Sequence, residues 1–210
     1  AAAMTFFIYD AHGNQIPYSP GQEWRPVHSK SDVDTLTEHP DERQYLKDEG
    51  EDSARHRKNA PTVSAPYQPS HGLIASQVMT KPVETLLPST PIHTAWDILC
   101  YHSFRHLPIV SKENIVIGIL SDRDITRKVF DSRKDHSDID TRKFSIRDIM
   151  ITNVLCSTPY TDIGTIAQVF VEEKIGAMPI IDKEQKIIGI LTRSDILKTL
   201  IRVVPPEFHA

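Results

Sequence analysis

Apolar positions in this chain change their period several times, and each change marks an element. Ile92, Ala95, Trp96 and Leu99 fall on one helical face, behind a Pro91 whose fixed φ suits a first helical turn. Leu107-Pro108-Ile109-Val110 is a short apolar run, Lys112-Glu113-Asn114 a turn, and Ile115–Leu120 a second run, apolar enough for a strand covered on both faces. Ser121 then opens another helix. The same order of strand, helix, strand, strand, helix returns through Ile163–Lys174, Met178–Ile181, Ile187–Leu191 and Thr192–Val203.

The recurrence is a repeat. With Met79 set over Met150, an offset of 71, the two stretches align without a gap. Val83 meets Val154, Pro88 meets Pro159, Thr90 meets Thr161 and Pro108-Ile109 meets Pro179-Ile180. Ile117-Gly118-Ile119-Leu120 lies over Ile188-Gly189-Ile190-Leu191, and Asp124-Ile125 over Asp195-Ile196. A period this long is a duplicated small domain rather than a solenoid unit. A lone unit of roughly 60 residues buries little apolar surface, so two units packed sheet to sheet are expected.

Residues 1–72 read differently. Ala1-Ala2-Ala3 ahead of Met4 reads as a cloning remnant. Thr5–Tyr9 and Gln15–Tyr18 flank Ala11-His12-Gly13-Asn14 as a short hairpin would. From Pro20 to Pro69 the chain is polar and acidic, without a sustained apolar period, apart from a short helical pattern across Asp41–Asp48. The expected organisation is therefore a largely irregular N-terminal arm or linker over 1–72, one unit over 73–140 and a second over 141–206. The arm is expected to be dispensable for folding but to pack on the module or a neighbouring subunit, because Phe6, Phe7, Ile8 and Tyr9 are costly to leave in water.

Composition narrows the classes. No apolar run approaches the length of a membrane span, and no secretory pattern opens the chain. Two cysteines, Cys100 and Cys156, make no CxxC pair, which suits a reducing cytoplasm. Residues 1–75 carry seven Lys/Arg against eleven Asp/Glu, and residues 76–204 carry seventeen against sixteen. Neither part is basic enough for a nucleic-acid footprint.

Gly118-Ile119-Leu120-Ser121-Asp122-Arg123-Asp124 recurs as Gly189-Ile190-Leu191-Thr192-Arg193-Ser194-Asp195. Each copy sets a hydroxyl at a strand-to-helix junction with a carboxylate three positions on. A capping-box variant has this spacing. So does a nucleotide site, in which helix N–H groups receive a phosphate, the carboxylate accepts a ribose diol and the glycine lets a flat base approach. Spacing alone fits both readings.

These paired motifs, with Thr90-Pro91-Ile92 and Leu107-Pro108-Ile109-Val110, resemble the CBS domain over about residues 73–204. Two in tandem look like a Bateman module, similar to stand-alone bacterial CBS proteins of the acetoin-utilisation type. The resemblance implies an α+β fold of two βαββα units related by a pseudo-twofold, plus the N-terminal extension. It implies a non-catalytic regulatory module that binds an adenosine nucleotide (AMP, ADP or ATP) between the repeats. One cleft would join Thr192, Ser194 and Asp195 to Thr90, Ala95 and Arg105. The other would join Ser121, Arg123 and Asp124 to Thr161, Ile166 and Gly176. Arg105-His106 stands where some relatives carry His-Arg, keeping basic phosphate partners in swapped order, whereas the second copy has Gly176-Ala177, so the clefts are not expected to be equivalent and the Asp195 cleft is expected to be the tighter.

Two alternatives stay open: a structural dimerisation module with empty clefts, and a regulatory subunit sensing S-adenosylmethionine or another adenosyl ligand. A homodimer is expected, covering Ile92, Trp96, Leu99, Leu197, Leu200 and Ile201, with a regulated enzyme or transporter as a further partner. No catalytic constellation and no metal site is expected. His102 and His106 lack the further ligands a metal needs, and Cys100 on the first helix is expected to pack. The mixed charges between the repeats read as a solvated loop.

Overall fold

The computed structural model describes residues 6–28, 72–134 and 144–203. The first stretch holds β1 (Phe6–Tyr9), β2 (Gln15–Tyr18) and β3 (Val27–His28). The first repeat then runs α1 (Ala75–Val78), α2 (Ile92–His102), β4 (His106–Val110), β5 (Val116–Ser121) and α3 (Asp122–Lys134). The second opens on a 3-10 turn (Ile146–Asp148). It continues as β6 (Ile151–Thr152), β7 (Val154–Ser157), α4 (Ile163–Glu172), β8 (Ala177–Ile181), β9 (Ile187–Thr192) and α5 (Arg193–Val203). The expected helix near Asp41–Asp48 and most of the loop between the repeats lie outside the described residues.

The elements follow from their sequences. Pro91 sets the entry to α2, Ile92, Ala95 and Leu99 bury its inner face, and Ser103 ends it in the left-handed conformation at φ 55°. In α4 the Asp162 carboxylate replaces proline and accepts the Thr165 N–H at 2.9 Å. Ile92 and Leu99, expected on a free face, belong instead to the first unit's own core.

Two sheets result, of order β2-β1-β7-β8-β9 and β3-β6-β5-β4. Helices pack on one core in each unit. A third cluster, with Tyr9, Val116, Val154, Cys156, Ile181 and Ile187 among its members, draws on strands of both sheets. The 71-residue offset relates the bridging too: Leu86 bridges Ile109 as Ser157 pairs with Ile180, and Pro91 bridges Ser145 as Asp162 bridges Ile74. The segments that lead each repeat are exchanged. Thr80 bridges Ile190 of the second unit, and Ile151 pairs with Ile119 of the first.

Gly118 and Gly189 serve this exchange. A Cβ on Gly118 would lie 2.8 Å from Met150 Sδ and 3.2 Å from the Ile151 carbonyl, and one on Gly189 would lie 2.5 Å from Met79 Sδ. Each glycine thus admits the methionine of the opposite leader segment, where the sequence suggested room for a flat base. Gly189→Ala is expected to cost about 1–3 kcal/mol through overpacking, read as a lower urea midpoint.

The N-terminal hairpin forms as expected, its turn held by the Asp10 carboxylate, which accepts from the backbone N–H of His12 and Asn14. Its partner is the finding. β1 lies antiparallel along β7, from Phe6 opposite Ser157 to Tyr9 opposite Val154, while β3 pairs with β6 in the other sheet. Phe6, Tyr9 and Tyr18 are almost wholly buried. Residues 6–28 are built into both sheets, so the expected packing of this segment on the module is present, and its extent argues against the expectation that the segment is dispensable.

Candidate functional site

Both strand-to-helix junctions close on themselves in the same way. The Ser121 N–H and hydroxyl both donate to Asp124 Oδ2, at 2.8 and 2.6 Å, and the Asp124 N–H donates back to Ser121 Oγ at 3.3 Å. At the second junction Thr192 does the same to Asp195 Oδ2, at 2.9 and 2.7 Å, with the return bond at 3.3 Å. These are reciprocal caps. Each uses one carboxylate oxygen. Among the described residues, Oδ1 of Asp124 and of Asp195 has no hydrogen-bond donor.

Both carboxylates line one continuous cavity of about 960 Å³ between the repeats. Its walls obey the pseudo-twofold: Pro82 answers Asn153, Ile119 answers Ile190, and Arg127 on α3 answers Lys198 on α5. The pairing of Ile119 with Ile151 and the bond from Asp122 N–H to the Arg105 carbonyl put Asp124, Arg105 and the second leader segment on one side. The bridge from Thr80 to Ile190 and the bond from Arg193 N–H to the Gly176 carbonyl put Asp195, Gly176 and the first leader segment on the other.

The sides meet at His106. A Cβ on Gly176 would lie only 3.0 Å from His106 Cε1, so an alanine there would press on the imidazole. Burial holds His106 below the ordinary histidine pKa, against the pull of Asp122 and Asp124.

The charges differ between the sides. Arg105 Nε lies 3.3 Å from Asp122 Oδ2. The equivalent positions hold Gly176 and Arg193, and Arg193 donates to the carbonyls of Ile175 and Phe170. The second copy keeps a guanidinium at the helix start, where the first has Asp122.

Of the sequence candidates, Arg105, His106, Ser121, Arg123, Asp124, Thr192, Ser194 and Asp195 line this cavity, as does Gly176. Arg105 pairs with Asp122 on the Asp124 side rather than grouping with Thr192. Thr90, Ala95, Thr161 and Ile166 are not among the lining residues. Ala95 and Ile166 are fully buried in the two unit cores. Thr90 and Thr161 act through their carbonyls, which accept from the Ile146 and Ala75 N–H groups of the opposite repeat at 2.9 Å each.

Of the other lining residues, three with side chains suited to a ligand were not named as site candidates, and Arg127, read with the solvated loop between the repeats, lies instead on α3. Arg127 and Lys198 follow their aspartates by three positions at the 71-residue offset, a signal present in the repeat. Trp24 carried only the hint of a lone indole in a polar stretch.

His102 stacks flat on Phe104, with ring centroids 4.9 Å apart, and Cys100 lies exposed on α2 rather than packed. Among the described residues no three His, Cys, Asp or Glu side chains converge as metal ligands would, and no helix is long and apolar enough to cross a membrane.

A profile of the CBS domain matches residues 75–131 and 146–202. A CBS domain-containing protein of Dictyostelium discoideum is 28% identical over 138 residues, 64% of this chain and 95% of that protein. Among solved structures, a protein named for acetoin utilization, AcuB, from Vibrio cholerae aligns with a TM-score of 0.57 at 25% identity, over 64% of this chain and 96% of that one. A CBS domain pair solved with 5′-methylthioadenosine and S-adenosyl-L-methionine aligns with a TM-score of 0.55 at 25% identity, over 62% of this chain and 97% of that one. Curated enzymes also match, but the chain spans only 23% of an inosine-5′-monophosphate dehydrogenase and 24% of a homoserine O-acetyltransferase.

Proposed function

Because the chain belongs to the CBS domain family, we propose that it is a regulatory, non-catalytic module of the cytosol that binds an adenosine nucleotide in the cavity between its repeats. One observation carries this reading: each aspartate caps its helix with Oδ2 and keeps Oδ1 as an unused acceptor in a cavity wall. Capping and ligand binding therefore do not compete. A carboxylate oxygen without a donor suits the two hydroxyls of a ribose, through charge-assisted bonds. Arg123 and Arg127 on the helix of Asp124, and Lys198 on the helix of Asp195, supply cations for phosphates. The adenosyl ligands of the solved CBS pair support the adenosine half of the reading and keep S-adenosylmethionine as the alternative ligand. Calorimetry on the intact protein with AMP, ADP, ATP and S-adenosylmethionine, with native mass spectrometry for carried nucleotide, tests it. No binding of any adenosyl compound would overturn it.

A scaffolding role finds support in the helices. Trp96 on α2 and Leu197, Leu200 and Ile201 on α5 remain exposed, Ile201 by 78%. Apolar side chains so placed suit a twofold copy, with a regulated enzyme or transporter as a further partner. Light scattering at micromolar concentration is expected to give the mass of two chains, and Ile201→Glu with Leu197→Glu to give that of one. A clean monomer in the unaltered protein would remove the dimer from the proposal.

A further inference from the structure

The pseudo-twofold matches the cavity walls almost residue for residue, with two exceptions from outside the repeats. Trp24 and Pro26 line the cavity and have no counterpart. They belong to the span between β2 and β3, which is fixed at both ends. On one side the buried Tyr18 donates its hydroxyl to Glu173 Oε1 at 2.6 Å. On the other, Val27 pairs with Thr152 and its carbonyl accepts the Thr152 hydroxyl at 3.2 Å. Trp24 donates its indole N–H to the Asn153 carbonyl at 3.0 Å and packs on the second unit's core. Glu173 and Asn153 are themselves cavity residues, so the segment is tied to the wall it completes.

The tie decides what Trp24 can offer. An indole has one polar atom, a donor, and here it is spent on a backbone carbonyl. What remains toward the cavity is aromatic surface on a ring held in place, and apolar surface beside a polar cavity gains when a flat partner covers it. Chain geometry puts this surface beside Asn153, on the leader segment that flanks Asp124. Pro82 holds the position equivalent to Asn153, and among the described residues the other aromatic rings in the cavity wall, His102, Phe104 and His106, all come from the first repeat and none is an indole.

Resting on the nucleotide reading above, we propose that Trp24 is the stacking wall for the ligand's base, so the N-terminal segment is part of the binding site and makes its two sides unequal. The base lies on the indole while the ribose hydroxyls reach the free oxygen of Asp124. A ligand with a flat base gains from this wall, and a bare sugar phosphate does not. Occupancy also steadies residues 19–26, because the ligand holds Trp24 from the side that the fold leaves open.

The chain has two tryptophans, which makes a direct test possible. Trp96 lies outside the cavity wall, so Trp96→Phe leaves Trp24 as the only indole reporter in the intact chain. AMP, ATP and S-adenosylmethionine are titrated against this variant, with ribose 5-phosphate as the control without a base. The adenosyl compounds are expected to change Trp24 emission and ribose 5-phosphate to leave it unchanged. By calorimetry, Trp24→Ala is expected to weaken AMP about tenfold or more, the range of a lost base–aromatic stack, and Trp24→Phe to recover most of the loss. A nucleotide that binds the Trp96→Phe variant without altering emission would overturn the proposal, even if Trp24→Ala proved unstable. So would equal affinity for AMP and ribose 5-phosphate. Absence of all binding in unaltered protein is a different result: it removes the nucleotide reading and this inference with it.

Discussion

Deletion of residues 1–28 is expected to unfold the second unit. β1 is hydrogen-bonded along the whole length of β7, and Phe6, Tyr9 and Tyr18 are at most 2% exposed. Full burial of an aromatic side chain contributes about 1.5–3 kcal/mol, so these three contribute about 5–9 kcal/mol before any ladder hydrogen bond is included. A domain of this size has only about 5–15 kcal/mol in total. The truncated protein should therefore melt at least ten degrees lower, or lose its cooperative transition, with an unpaired β7 edge open to aggregation. Thermal unfolding followed by far-UV circular dichroism checks this. A cooperative transition within about two degrees of the full chain would show the hairpin to be decoration. Phe6→Ala and Tyr9→Ala provide a milder version, at about 3–5 kcal/mol each.

Asp124→Asn and Asp195→Asn are expected to separate capping from binding. An asparagine keeps one oxygen, and that oxygen can take over the cap, accepting the Ser121 or Thr192 N–H and hydroxyl as Oδ2 does now. Stability should fall by no more than about 1 kcal/mol. The other atom of the group becomes an NH₂, which donates where a ribose hydroxyl needs an acceptor. Affinity for AMP should then fall about ten- to hundredfold, the loss of charge-assisted bonds worth about 1.5–3 kcal/mol. If Trp24 makes the Asp124 side the tighter one, Asp124→Asn carries the larger loss. Calorimetry and a denaturant midpoint on the same preparations read both quantities. Unchanged affinity in both variants would leave the caps as the whole explanation of these aspartates.

Much of this was legible in the sequence. Local periodicity set α2 and α4, and the 71-residue offset carried every assignment in one repeat to the other. The paired hydroxyl and acid marked both helix starts. What escaped depended on contacts distant in sequence. The cluster Phe6–Tyr9 read as a strand, but nothing local to it names Val154–Ser157 as its neighbour. Ala95 and Ile166 came as site candidates from family resemblance, yet their helical spacing already placed them on buried faces, and packing decided. Arg105 was assigned by its position in a motif, whereas its ion pair with Asp122 fixes which side it joins. Trp24 stood in a polar stretch with no period, so only its anchoring to Asn153 reveals it. The glycines were noticed for the right reason, close approach, but what approaches is methionine.

The exchanged leader segments have a historical consequence. Thr80 completes the sheet of the second unit and Ile151 that of the first, with Met79 and Met150 seated over Gly189 and Gly118. Once two duplicated halves each lend the other an edge, neither can be lost or replaced without leaving its twin's sheet short. The ancestral gene doubling cannot be run backwards in a single step. From then on mutations are filtered by the pair, and the halves can drift apart most freely where they do not hold each other, as the exposed Tyr101 and Glu172, equivalent at the 71-residue offset, have done.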